Sequence, residues 1–147
     1  MSSRLRYVID ASVLIKFLVK EEYSLFVKQF LHELHAEGGF NIYVPDLLYI
    51  ECANILWKKV RRGEVDILTV EANLSVLLAM ELSTTPLSEL AVRAVCLACD
   101  HGISAYDASY LALSERLGVP LLTADNRLAN ALANSTHQVI TLASLSS

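Results

Sequence analysis

The chain has no glycine-rich phosphate loop. Its five glycines, Gly38, Gly39, Gly63, Gly102 and Gly118, form neither G-x-x-x-x-G-K-[ST] nor G-x-G-x-x-G, which removes P-loop and dinucleotide-binding readings. Cysteine is scarce: Cys52, Cys96 and Cys99 are odd in number and make no disulfide framework. Cys96-x-x-Cys99 falls inside an apolar helical pattern, Leu90–Cys99, so all three are expected as small buried hydrophobes, not redox or metal-binding groups. No apolar run approaches the roughly 18 residues of a membrane helix, because Asp10, Lys16, Glu81 and Arg93 break the best candidates. Asp10 and Lys16 also interrupt any secretory signal, and the expectation is a cytoplasmic protein. Positive charge is short too. The net charge is −4 and the last lysine is Lys59, which argues against coating nucleic acid by bulk electrostatics but not against a local basic patch.

What the chain has in quantity is apolar surface. Of its 147 residues 54% are hydrophobic, and the mean hydropathy is +0.42. That length suits one domain, 1–147, able to bury about two-thirds of its unfolded surface, with an apolar face left for a partner.

Strand and helix patterns alternate. Leu5–Ile9 reads as a strand, Ala11–Lys20 as a helix, and Tyr23–Ala36 as a second helix ended by Gly38-Gly39. Asn41–Val44 is the next strand; Asp46 is expected to cap a helix over Leu47–Arg62. Asp66–Met80 reads as a helix, Glu81–Thr84 as a strand and Ser88–Asp100 as a helix. Another helix starts near Asp107 and stops at Gly118. The strand Pro120–Thr123, a short helix Asn126–Asn134 and a strand Gln138–Leu142 follow. Alternation of this kind makes a three-layer α/β/α sandwich on a mostly parallel five-stranded sheet with right-handed crossovers. His32 and His35, three apart on one helix, have no third ligand nearby in the sequence and read as a solvated face. His101, beside Gly102, reads as a helix-end cation.

The topology carries the chemistry. Asp10 ends one strand and starts a helix. Glu51 lies in the second turn after the next strand, Asp107 sits at a helix N-terminus, and Asp125 follows a strand's C-terminal end. All four fall on the carboxyl edge of the sheet, where open α/β folds build their sites. Asp10 and Asp107 are each reasonable helix caps alone, but four acids on one edge repel unless protons or cations neutralise them. An all-oxygen ligand set suggests Mg²⁺ or Mn²⁺, which could activate water against a phosphodiester.

Four segments then match a known pattern: Val8-Ile9-Asp10-Ala11-Ser12, Glu51-Cys52-Ala53-Asn54-Ile55-Leu56, Tyr106-Asp107-Ala108-Ser109-Tyr110-Leu111-Ala112 and Thr123-Ala124-Asp125-Asn126-Arg127-Leu128. In this order and spacing the chain resembles PIN-domain nucleases of the VapC toxin type. The resemblance covers nearly the whole chain. It implies strand order 3-2-1-4-5 and a metal-dependent endoribonuclease, the toxin of a toxin–antitoxin pair. It also implies Asp10, Glu51, Asp107 and Asp125 as catalytic, Mg²⁺- or Mn²⁺-binding acids. Ser12 and Thr123 match the hydroxyl positions that orient a carboxylate or water, and Asn54 is a candidate polar neighbour. A small antitoxin and a homodimer are the implied partners. On this reading the Tyr23–Ala36 and Leu47–Arg62 helices form the antitoxin groove, with Phe26 and Leu48 in it. RNA would be gripped by Lys16, Lys20, Lys58, Lys59, Arg61 and Arg62, which also read as solvated helix-end charges.

Two other readings compete. Aspartyl-phosphate proteins, receivers and dehalogenase-type phosphatases, resemble this chain in the aspartate after strand one. They need a late lysine, and the dehalogenase type needs a second acid where Ser12 stands. The chain could instead be a non-catalytic interaction module with a vestigial acidic site, a reading that its apolar content supports and that absence of metal binding would favour.

Overall fold

The computed structural model describes residues 5–38 and 41–147; Gly39, half of the expected glycine stop, lies outside them. The elements are β1 (Tyr7–Ile9), α1 (Ala11–Leu18), α2 (Ser24–Ala36), β2 (Ile42–Pro45), α3 (Leu47–Arg61), α4 (Ile67–Ala79), β3 (Ser83–Thr85), a 3₁₀ turn (Leu87–Glu89), α5 (Ala91–His101), α6 (Ala105–Leu117), β4 (Leu121–Thr123), α7 (Asn126–Ala131), β5 (Val139–Thr141) and α8 (Leu142–Ser146). The sheet runs β3-β2-β1-β4-β5, as the resemblance implied. Its four pairings are all parallel. Helices link the successive strands, which is what parallel pairing requires.

Side-chain alternation along the strands divides the apolar residues between two cores. Tyr7, Ile9 and Leu122 face one core with α1–α4, while Val8 and Leu121 face the other with α5 and α6. Val8, Ile9, Leu121 and Leu122 are fully buried, the signature of central parallel strands covered on both sides.

Helix α6 is buried without interruption from Ala108 to Ser114, between the sheet and α5. A helix covered all round has little amphipathic contrast. Two ion pairs, Arg93–Glu115 at 2.8 Å and Arg116–Glu89 at 2.9 Å, link its outer rim to α5 and the 3₁₀ turn. Gly118 closes α6 at φ 66°, in the left-handed region where a side chain is strained, and β4 can then return to the sheet.

Several expectations need correction. Asp46 does not cap α3 with its side chain; its Oδ1 accepts the Leu87 N–H at 3.1 Å and ties the start of α3 to the 3₁₀ turn. Helix α6 starts two residues earlier than expected, because Ser104 Oγ accepts the Asp107 N–H at 3.0 Å. Asp107 is therefore in the first turn and is not the cap. Cys52 is buried, but Cys96 and Cys99 are exposed: α5 buries Ala94 and Leu97 and turns both cysteines outward with Val92 and Val95. The C-terminal helix α8, capped by Thr141, was not expected. Among the described residues no helix is long and apolar enough to cross a membrane.

Candidate active site

Each of the four acids reaches the carboxyl edge of the sheet from a different element. Asp10 leaves β1 with extended backbone and caps α1, accepting the Val13 N–H at 3.3 Å. It is 6% exposed. Ser12 Oγ donates to Asp10 Oδ1 at 2.5 Å, accepts the Ala124 N–H at 2.9 Å and lies 3.4 Å from Thr123 Oγ1. Thr123, fully buried, accepts the Asp125 N–H at 3.0 Å. The two hydroxyls thus clamp the end of β4 to the start of α1, with Ser12 bonded directly to Asp10.

Asp125 caps α7, its Oδ1 accepting the N–H groups of Arg127 at 2.9 Å and Leu128 at 3.3 Å. Glu51 has a partner that sequence reasoning missed. Tyr110, 1% exposed on α6, donates its phenolic hydrogen to Glu51 Oε1 at 2.6 Å. A buried tyrosine must satisfy its hydroxyl, so the general signal was there; the partner, 59 positions away, was not visible. Burial, then the Glu51 charge and this bond, push the Tyr110 phenol upward, so it stays a neutral donor.

Three of the four carboxyls are held above their ordinary proton affinity. Burial pushes Asp10 from 3.8 up to about 6, against the bonds from Ser12, Thr123 and Val13, and the Asp107 charge adds to the rise. Burial also raises Glu51, opposed by Tyr110 and reinforced by Asp107. Asp107 is raised by burial and then by the charge of Asp125. The Asp107 charge thus bears on both Asp10 and Glu51, and Asp125 bears on Asp107. Among the described residues no lysine or arginine forms a salt bridge with any of the four.

The donor set is all oxygen, uncompensated and mutually repelling, which fits a hard divalent cation. Among the described residues no three His, Cys, Asp or Glu side chains are gathered closely enough to enclose an ion. Mg²⁺ does not need such a cage, since it is usually held by one or two carboxylates with water completing its shell. His35 lies 3.6 Å from Glu81, a neighbour the sequence did not reveal, without completing a ligand group.

The expected basic patch does not ring the acids. Helix α3 leaves the edge at its N-terminus, so Lys58 lies about 10 Å and Arg62 about 16 Å along the axis from Glu51 at 1.5 Å per residue. Lys16 and Lys59 both pair with Glu21, at 3.1 and 3.7 Å, and Lys59 and Arg62 pair with Glu64 at 3.4 and 3.7 Å. Lys20, Lys58 and Arg61 have no acidic partner among the described residues, and Arg61 lies 5.0 Å over the Trp57 ring. Lys16 lines a pocket with Ala124 and Asn126, on either side of Asp125.

The expected groove between α2 and α3 loses one of its named contacts. Helix α1 packs against both, and Leu48 is fully buried in the core, so it cannot serve as an exposed contact. The open groove on α3 lies toward α6. It has a volume of about 570 Å³ and is lined by Ile50, Glu51, Asn54, Trp57 and Tyr106 among others. Asn54 is exposed in this groove and makes no hydrogen bond to an acid.

The PIN-domain family profile matches residues 7–132. A protein named ribonuclease VapC3, from Pyrobaculum aerophilum, is 34% identical over 131 residues, 85% of this chain and 93% of the relative. Exonuclease VapC9 from the same organism is 32% identical over 124 residues, 83% of this chain and 82% of the relative. The crystal structure of PAE2754 from P. aerophilum superposes with a TM-score of 0.67 at 26% identity, covering 96% of this chain and 93% of that one.

Proposed function

The chain belongs to the PIN-domain family, and from that premise we propose that it is a single-domain, metal-dependent endoribonuclease acting in the cytoplasm as the toxin of a toxin–antitoxin pair. One observation carries the reading. Asp10, Glu51, Asp107 and Asp125 come from four different elements to one sheet edge, with three of their carboxyls raised and Asp107 coupled to the other three. The ribonuclease name of the VapC3 relative supports RNA as substrate.

On this reading the four acids would hold Mg²⁺ or Mn²⁺. When bound, the ion supplies charge neutralisation at the phosphodiester and activation of water. The chain's own residues supply orientation. Ser12 and the Val13 N–H fix Asp10, Tyr110 fixes Glu51, and the start of α7 fixes Asp125. Uncompensated carboxylates would repel an RNA phosphate, so the edge becomes a substrate site only once they are neutralised. On this reading Lys16, lining the pocket beside Asp125, and Lys58 and Arg61, further along α3, would meet RNA phosphates.

Because one relative is named an exonuclease, the mode of attack is tested with a circular RNA. An endonuclease opens the circle, and an enzyme that needs a free end leaves it intact; an intact circle beside degraded linear RNA of the same sequence would remove "endo" from the proposal.

Exposed apolar residues support protein partners, with Leu25, Leu78 and Val92 all at least 70% exposed. We place the homodimer contact on the outer face of α5, where Val92, Val95, Cys96 and Cys99 share a helical stripe. Val92→Lys with Val95→Lys is expected to shift sedimentation from dimer to monomer without unfolding. An unchanged dimer would move the interface elsewhere.

A further inference from the structure

We propose that the open groove between α3 and the first turn of α6 seats a nucleobase of the RNA strand against the faces of Trp57 and Tyr106, immediately beside the acidic edge. The proposal rests on the ribonuclease reading and adds to it a substrate contact outside the acids.

The groove shares Glu51 with the acidic site, so an occupant of one is within reach of the other. Its aromatic rings are far from buried: Tyr106 is 65% exposed and Trp57 50% exposed. Tyr106 directly precedes Asp107, and Trp57 lies under two helical turns beyond Glu51. The Arg61 guanidinium lies 5.0 Å over the indole, a cation–π contact that steadies the ring. Asn54 lies between Glu51 and Trp57 on α3. It is exposed and makes no hydrogen bond among the described residues, so its amide can offer both donor and acceptor to a base edge.

The succession along α3 decides the class of ligand. Beyond half-buried Glu51 the exposed polar and aromatic side chains run from an amide and an aromatic (Asn54, Trp57) to cations (Lys58, Arg61). An apolar peptide helix would use the aromatics and Ile50 but would have no use for the cations. A single RNA strand presents flat bases and anionic phosphates in alternation, and aromatic faces interleaved with cations are what it stacks and pairs on. Stacking tolerates every base, whereas the Asn54 amide can prefer one, so the groove is also where base preference would arise.

Trp57 is the chain's single tryptophan, so its fluorescence reports on this groove alone. The test uses the full chain carrying Asp10→Asn, to prevent cleavage, with octamers of adenylate or uridylate. Binding is followed in parallel by Trp57 emission and by anisotropy of labelled octamers. We expect emission to change in step with anisotropy. Tyr106→Ala and Trp57→Leu should each weaken binding about five- to 100-fold, while Trp57→Phe stays close to the parent. Leucine keeps the apolar volume and loses the π face, so the Leu–Phe contrast separates stacking from simple burial. If Trp57→Leu does not fold, Tyr106→Ala and the parent's emission still decide the question. RNA binding with unchanged emission and unaffected variants would overturn the base platform, assign the groove to an apolar peptide, and leave the ribonuclease reading intact. No binding and no cleavage of any RNA would overturn both.

Discussion

Asp10→Asn is expected to reduce RNA cleavage by about a hundred- to a thousand-fold or more while raising the melting temperature of the metal-free protein at pH 8. The two effects have one cause. Asp10 is buried, and burial with the Asp107 charge lifts its carboxyl from 3.8 to about 6. The folded protein therefore holds this proton more tightly than the unfolded chain does. The stabilisation is present in full below about 3.8 and is lost as pH rises to about 6, so above that the ionised Asp10 costs the fold roughly 3 kcal/mol at most. Asparagine keeps an Oδ1 that can accept from Ser12 and from the Val13 N–H, and it removes the charge. Its amide nitrogen brings new donors into a buried place, which reduces the gain to about 1–2 kcal/mol, or a few degrees. The variant's advantage should disappear, and turn into a small deficit, as pH falls to 4. Thermal melts in EDTA at pH 4, 6 and 8 check this. A lower melting temperature for Asp10→Asn at pH 8 would make Asp10 a structural cap and not a strained site residue.

Tyr110→Phe is expected to weaken Mn²⁺ binding and cleavage by about 10- to 100-fold with a stability change of only about 1 kcal/mol. The phenol does one thing at this edge: it donates to Glu51 Oε1 at 2.6 Å. Without it Glu51 is half-buried beside the Asp107 charge with nothing holding its rotamer, and the influence that lowers its proton affinity is gone. The acidic limb of the pH–activity profile should therefore move to higher pH. The ring stays in the α6 core, where Tyr110 is 1% exposed, so the fold should survive. Calorimetric Mn²⁺ titration and a pH profile separate orientation from mere burial. If both match the parent, Tyr110 only satisfies its own hydroxyl.

The sheet and the acidic edge were legible in the sequence because both follow from direction of travel. Strand–helix alternation fixes parallel pairing, parallel pairing collects every strand's carboxyl end on one side, and Asp10 and Asp125 stand just past two of those ends. What needed coordinates was any choice between two residues of similar chemistry or between two faces of one helix. Ser104 and Asp107 could each start α6, and the serine took the cap, leaving the aspartate carboxyl free for the edge. Asp46 could cap α3, yet a long-range partner at Leu87 claimed it. The apolar stretch in α5 gave a helix but not its inward face, so Cys96 and Cys99 were placed on the wrong side. The cations sat on the helices expected, but α3 carries most of its cations away from the acids, and Glu21 and Glu64 neutralise three of the six. The Tyr110–Glu51 bond and the groove beside Tyr106 join distant parts of the chain, and one sequence gives no signal for such meetings.

The central claim, that the four acids form a cation-dependent centre for RNA cleavage, is tested most directly by incubating total cellular RNA with the purified chain in Mn²⁺, in EDTA, and with Asp10→Asn in Mn²⁺. The expected result is discrete fragments in the first reaction alone. Equal cleavage in all three would contradict the claim. Absence of cleavage in all three, together with calorimetric Mn²⁺ binding that is no stronger to the parent than to Asp10→Asn, would contradict it as well and leave a PIN-domain fold whose acids serve no catalytic ion.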